Sequence, residues 1–183
     1  MINQFMCVSC DAKRPISIEF INKLNDLTSI EDLNAAQKKV ANECILELQE
    51  ELLAISRSAL SIIDGKLLPN STNEERICNL WLRADLLRYS CEHETVESFK
   101  SQAEAAFNVA KTEAEEKLRP ENPIRIGIAL NFGIFYERIL KSKGLAHKIG
   151  KEAYDKAMAK QTRTPEANEK LEILNRNLQI WAS

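Results

Sequence analysis

Two amide side chains stand where helical periodicity expects apolar ones. Asn131 lies among Leu130, Phe132 and Ile134, and Asn177 lies between Leu174 and Leu178. A buried amide left without a partner costs about 1–3 kcal/mol, so each has to be satisfied. A neighbouring backbone or helix can do that. So can a bound peptide, because an amide offers a donor and an acceptor side by side. Arg88-Tyr89 is a third polar point: a planar guanidinium fork matched to phosphate oxygens, beside a phenol that donates. Alone, an Arg-Tyr pair is usually a solvated surface feature. The three positions carry meaning as a set.

Enzymatic patterns are absent from the sequence. There is no Gly-rich phosphate loop, GxSxG, HExxH or kinase set, and two isolated histidines, His93 and His147, are a thin basis for acid–base chemistry. This reading expects no catalytic residue, no cofactor and no metal. Five cysteines (Cys7, Cys10, Cys44, Cys78, Cys91) in a chain without an export signal read as reduced thiols. Cys7 and Cys10 form the one close pair. A zinc or redox protein built on Cys7, Cys10, Cys91 and His93 is the weaker alternative, because no second CxxC or CxxH completes a ligand set.

Composition narrows the class. A chain of 183 residues, 44% hydrophobic and 28% charged, is long enough for a real core and ordinary for a globular protein. Five Gly and five Pro are too few for the turns of an all-β fold. A net charge of −2 argues against nucleic acid as main partner. No apolar run reaches the roughly 18 residues that span a bilayer, and no signal peptide opens the chain, so the cytosol or nucleus is expected.

The elements that must position these residues read as helices. Residues 16–25 are a weak candidate, with Pro15 interrupting anything longer. Thr28-Ser29-Ile30-Glu31 resembles a capping box, and Leu33, Ala36, Val40, Cys44, Leu48, Leu52, Ile55, Ala59 and Ile62 follow at helical spacing. Asp64-Gly65 and Pro69 are expected to end that helix. Further helices are expected over 72–91, 95–117, 123–141 and 145–160, and from Thr164-Pro165 to the C-terminus. Apart from Arg125, the 123–141 helix is apolar on nearly every side up to Phe135, which places it in the middle of the fold. About seven helices with short connections imply an all-α antiparallel array, a single domain over 1–183 with function in an amphipathic groove.

The segment from Asn122 to Tyr136, NPIRIGIALNFGIFY, resembles the signature of the 14-3-3 family. Asn177-Leu-Gln-Ile-Trp-Ala-Ser183 is similar to that family's terminal helix, Leu86-Leu-Arg-Tyr89 to its phosphate-binding helix, and Leu67-Leu-Pro-Asn70 to the preceding loop. The motifs occur in family order from about residue 36 onward, and residues 1–35 match weakly. The resemblance implies a non-enzymatic adaptor that binds phosphoserine or phosphothreonine motifs of client proteins. It implies Arg88 and Tyr89 as phosphate ligands and Asn131 and Asn177 as backbone clamps. Leu130, Ile134, Ile173 and Trp181 would line the groove. Ala12-Lys13-Arg14 is similar to the family's Ala-Arg-Arg, making Arg14 a second phosphate arginine, although Pro15 departs from that helix.

Three positions depart from the family on the groove faces. Trp81, seven before Arg88, and Cys7, seven before Arg14, stand where the family has lysine; Arg138, seven after Asn131, replaces a glutamate. Either Arg138 takes over part of the phosphate or groove charge, or the pocket is degraded and the helical scaffold binds unphosphorylated partners. The chain has no counterpart for the family's first two helices, which form much of its dimer seam. A homodimer therefore stays open.

Overall fold

The computed structural model describes residues 34–93 and 97–183. Six helices fill them: α1 (Ala35–Ile62), α2 (Asn73–His93), α3 (Glu97–Lys117), α4 (Pro123–Arg138), α5 (Lys143–Met158) and α6 (Pro165–Trp181). Among the described residues there is no strand. The expected helix over 16–25 lies outside them, as do Arg14, Cys7 and Cys10. The chain divides into two compact units, Met1–Ser58 and Ala59–Ser183.

The described part of the first unit is the leading portion of α1. Asn34 and Gln37 cap it reciprocally: Gln37 N–H donates to Asn34 Oδ1 and Asn34 N–H donates to Gln37 Oε1, each at 3.0 Å. This box caps the described start of α1, because it satisfies two backbone groups that the first turn leaves over; the box expected at Thr28-Glu31 lies outside the described residues. Val40, Cys44 and Ile55 of the expected apolar stripe are exposed, and Ile45 is buried.

The end of α1 also differs from expectation. The chain does not leave the helix at Asp64-Gly65; it widens into a π turn over Ile63–Leu67 and a last helical turn over Leu68–Asn70. Leu68 N–H donates to Ile63 O, and no glycine takes positive φ. Gly65 therefore acts as a helical residue, and the break comes at Ser71, which is extended at φ −99 and ψ 149. Arg83 reaches back to Asp64 at 2.8 Å and holds this corner on α2.

In the second unit, α2 to α6 pack as successive antiparallel neighbours, and α4 touches α2, α3, α5 and α6. Asn122 and Pro123 start α4 as the sequence predicts: Asn122 Oδ1 accepts from Ile124 N–H at 2.8 Å, with proline at a position that needs no donor. Thr164 and Pro165 repeat the device on α6, with Thr164 Oγ1 accepting from Ala167 N–H at 3.2 Å. α4 is buried on nearly all sides, from Ile126 to Leu130 and again at Phe132, Gly133, Phe135 and Tyr136. Ala103, Ala106 and Ala110 let α3 approach, and Phe107 stacks on Phe132 with centroids 5.0 Å apart.

α4 ends at Arg138, three residues short of expectation, because Lys141 adopts φ 54 and Ser142 N–H turns back to Tyr136 O at 2.8 Å. A left-handed lysine is strained where glycine is not. Lys141→Gly should stabilise the fold by about 0.5–1 kcal/mol, read as a higher Tm; an unchanged or lower Tm would show that the turn carries no such strain.

Tyr136 closes the core's aromatic cluster and donates its hydroxyl to Glu104 at 2.6 Å. Burial first, and then the Glu104 carboxylate, push its phenol up to about 12 from 10.0. A raised phenol binds its proton more tightly when folded, so this stability is complete below pH 10 and lost as pH rises to about 12. Tyrosinate absorbance should show one tyrosine titrating near 12 that disappears in Tyr136→Phe. Absence of a tyrosine titrating near 12 in the unaltered protein would contradict the buried pairing.

Candidate functional site

The polar residues singled out in the sequence converge on three helices of the second unit: α2 carries Arg88 and Tyr89, α4 carries Asn131, and α6 carries Asn177. Antiparallel neighbours alternate in direction, so α2, α4 and α6 all run the same way. α4 lies between the other two and touches both. It forms the floor, with α2 and α6 as walls.

The hub of the site is a residue that sequence reasoning missed. Asp85 Oδ1 accepts from Arg88 Nε at 2.9 Å and from Asn131 Nδ2 at 3.3 Å. One carboxylate thus orients both the guanidinium on α2 and the amide on α4, which are distant in sequence. Arg88 is 6% exposed and lies over the Tyr89 ring, 4.0 Å from its centroid. A guanidinium buried this far needs a paired carboxylate, and its planar shape suits simultaneous stacking. Asp85 was findable, since it stands three before Arg88 on the same helix, but a lone mid-helix aspartate reads as a solvated residue.

Asn177 is half-buried and donates from Nδ2 to Ile173 O on its own helix at 2.9 Å. Its amide is therefore held in a fixed orientation by the turn before it. Ile134 and Ile173 are half-exposed and pack against the core edge, whereas Leu130 and Trp181 are buried in it. Trp181, at 3% exposure, backs the wall from inside. Its ring fills the space beside two glycines: a Cβ on Gly133 would stand 2.4 Å from Trp181 Cη2, and one on Gly150 2.8 Å from its Cζ3.

Trp81 occupies the other end of the same floor. A Cβ on Gly127 would lie 2.6 Å from Trp81 Cη2, so the indole rests on bare α4 backbone. The pairing Trp81–Gly127 has the same offset along the sequence as Asp85–Asn131, 46 residues. α2 and α4 are thus in register over this stretch. Lys170 of α6 holds its ammonium 5.6 Å from the centre of the Trp81 ring.

Arg138 lies two turns beyond Asn131 at the end of α4, 69% exposed and 3.8 Å from Glu137. Among the described residues Arg138 pairs with Glu137 and not with the Asp85 hub. Arg14 lies outside the described residues. Among those residues no group of three or more His, Cys, Asp or Glu is placed to hold a metal ion, and no helix is long and apolar enough to cross a membrane. A cavity of about 570 Å³ opens elsewhere, between the Lys117–Pro123 and Thr162–Thr164 loops.

Comparison with known proteins bears on this arrangement. The chain is 31% identical over 160 residues to 14-3-3 protein zeta of Bombyx mori, covering 80% of this chain and 63% of that protein. It is 32% identical over 163 residues to 14-3-3 protein beta/alpha-A of Xenopus laevis, covering 82% and 65%. With a 14-3-3-like protein of Fucus vesiculosus, identity is 34% over 147 residues, covering 75% and 59%. The chain spans less than two thirds of the length of these relatives. The model of the family described as 14-3-3 protein matches residues 10–182, the Asp85 hub and the whole α2–α4–α6 floor included, and on that match the chain belongs to the 14-3-3 family.

Proposed function

We propose that this protein is a non-enzymatic adaptor that holds a phosphoserine or phosphothreonine motif of a client protein across α4, between α2 and α6. The observation that carries the reading is the shared carboxylate: Asp85 orients Arg88 and Asn131 together. In the bound state Arg88 and Tyr89 hold the phosphate by charge-assisted hydrogen bonds, and Asn131 and Asn177 pair with the client's backbone. Ile134 and Ile173 supply the apolar side of the groove, with Leu130 and Trp181 behind them. Arg138 contributes to the electrostatic approach of the phosphorylated segment from the exposed end of α4. No cofactor, nucleic acid or membrane enters this mechanism.

Phosphopeptide titration of Asn131→Ala and Asn177→Ala tests the clamp. Each should bind about five- to tenfold more weakly than the unaltered protein, the effect of losing one to two hydrogen bonds. Unchanged affinity in both would remove the amides from the account. A second reading has its own observation. Asp85 pairs with Arg88 at 2.9 Å, so this guanidinium already has a carboxylate partner on its own helix. A scaffold of this fold that binds unphosphorylated partners would show no preference for a phosphorylated peptide.

A further inference from the structure

The Trp81 end of the floor repeats the logic of the Arg88 end with different chemistry. Trp81 precedes Arg88 by seven residues on α2, and Lys170 precedes Asn177 by seven on α6, so each pair shares a helix face about 10.5 Å apart. The indole, seated on Gly127, bridges from one wall onto the floor, and Lys170 leans over it from the other wall. This is a built contact among three helices. The Lys170 side chain is 26% exposed, and it is the ammonium that faces the indole ring. Its other neighbour, Glu166 at 3.7 Å, is a 64% exposed partner one turn back, a kind of pair that holds a cation loosely. The Trp81 Nε1–H is buried without an acceptor among the described residues, although buried indoles usually find one. Trp81 packs against both core clusters and in addition offers its ring face to Lys170.

We infer that Trp81 and Lys170 form a second reading point in the groove, selecting an acidic side chain of the client about three residues from its phosphorylated residue. The spacing follows from 10.5 Å of helix axis against roughly 3.3 Å per residue of an extended segment. The inference rests on the groove reading above and specifies its substrate class. An incoming carboxylate displaces Glu166 from Lys170 and meets a cation already oriented by the indole face, at a place partly screened from water.

The test uses synthetic phosphoserine peptides of Ala, Gly and Ser that carry a single Glu, Ala or Lys three residues before or after the phosphoserine. On one side, the Glu peptide should bind the full chain about three- to fivefold tighter than its Ala twin, and the Lys peptide more weakly. Lys170→Met keeps an unbranched side chain of similar length and removes the charge. It should erase the Glu preference, so that the Glu and Ala peptides bind the variant alike, and keep the unfolding midpoint. Raised salt should shrink the preference in the unaltered protein. Equal affinity for the three peptides on both sides, or a Glu preference that survives Lys170→Met, would overturn the assignment while leaving phosphate recognition standing. Failure of every phosphopeptide to bind would overturn the groove reading and this subsite with it.

Discussion

Trp181→Ala should lower the free energy of unfolding by about 3–5 kcal/mol, the range for deleting a large aromatic from a closed core. The ring is 3% exposed and sits beside Gly133 of α4 and Gly150 of α5, so it fills a seam that joins the last three helices. Neither glycine has a side chain that could relax into the vacated space. The reverse substitution probes the same fit. Gly133→Ala would place a methyl 2.4 Å from Trp181 Cη2, closer than atoms tolerate, and the same ring already lies close against Gly150. It should cost about 1–3 kcal/mol, the range for overpacking a filled core. In Gly133→Ala/Trp181→Leu the two effects should be less than additive, since a smaller side chain admits the methyl. Denaturant unfolding of the three variants measures this. Strict additivity would mean that the ring and the glycine do not share the seam.

The second large effect belongs to binding. Arg88→Ala should weaken phosphopeptide binding about a hundredfold, within the range for truncating one member of a buried, hydrogen-bonded charge pair. Two consequences arise from the geometry. Asp85 would lose its 2.9 Å partner, so the Asn131 amide, which it holds at 3.3 Å, would also be less well oriented. The loss should therefore exceed that of Arg88→Lys, which preserves charge but not the fork that spans both Asp85 and a phosphate. A Lys variant as damaged as the Ala variant would assign the effect to the guanidinium's shape alone. A circular-dichroism melt separates loss of binding from loss of fold.

Much of this molecule was legible in the residues, and the failures have physical reasons. Asn122-Pro123 and Thr164-Pro165 announced two helix starts because the capping side chain and the donorless proline act locally. The buried middle position of α4 followed from its apolar run. The end of α1 did not, because Gly65 stays in helical conformation and its turn widens to π geometry, an outcome set by packing of the Ile63 corner. Early termination of α4 depended on a left-handed Lys141, a conformation that no lysine advertises. At the site, Arg88, Asn131 and Asn177 were visible as polar exceptions on apolar helices. Asp85 and Lys170 were not, since a carboxylate and a lysine on helices are ordinary until a partner across the groove is known. Gly127 and Gly133 could be read as close-approach points, but only the fold shows that two tryptophans occupy them.

The central claim is that phosphate recognition is built into the Arg88–Asp85–Asn131 cluster. Its most direct test is one ratio: the affinity of a phosphoserine peptide over that of its unphosphorylated twin, measured by calorimetry on the unaltered chain and on Arg88→Ala. The account predicts a ratio of about a hundred for the unaltered chain that falls close to one in the variant. A ratio near one in the unaltered chain, or one that Arg88→Ala leaves intact, would contradict it.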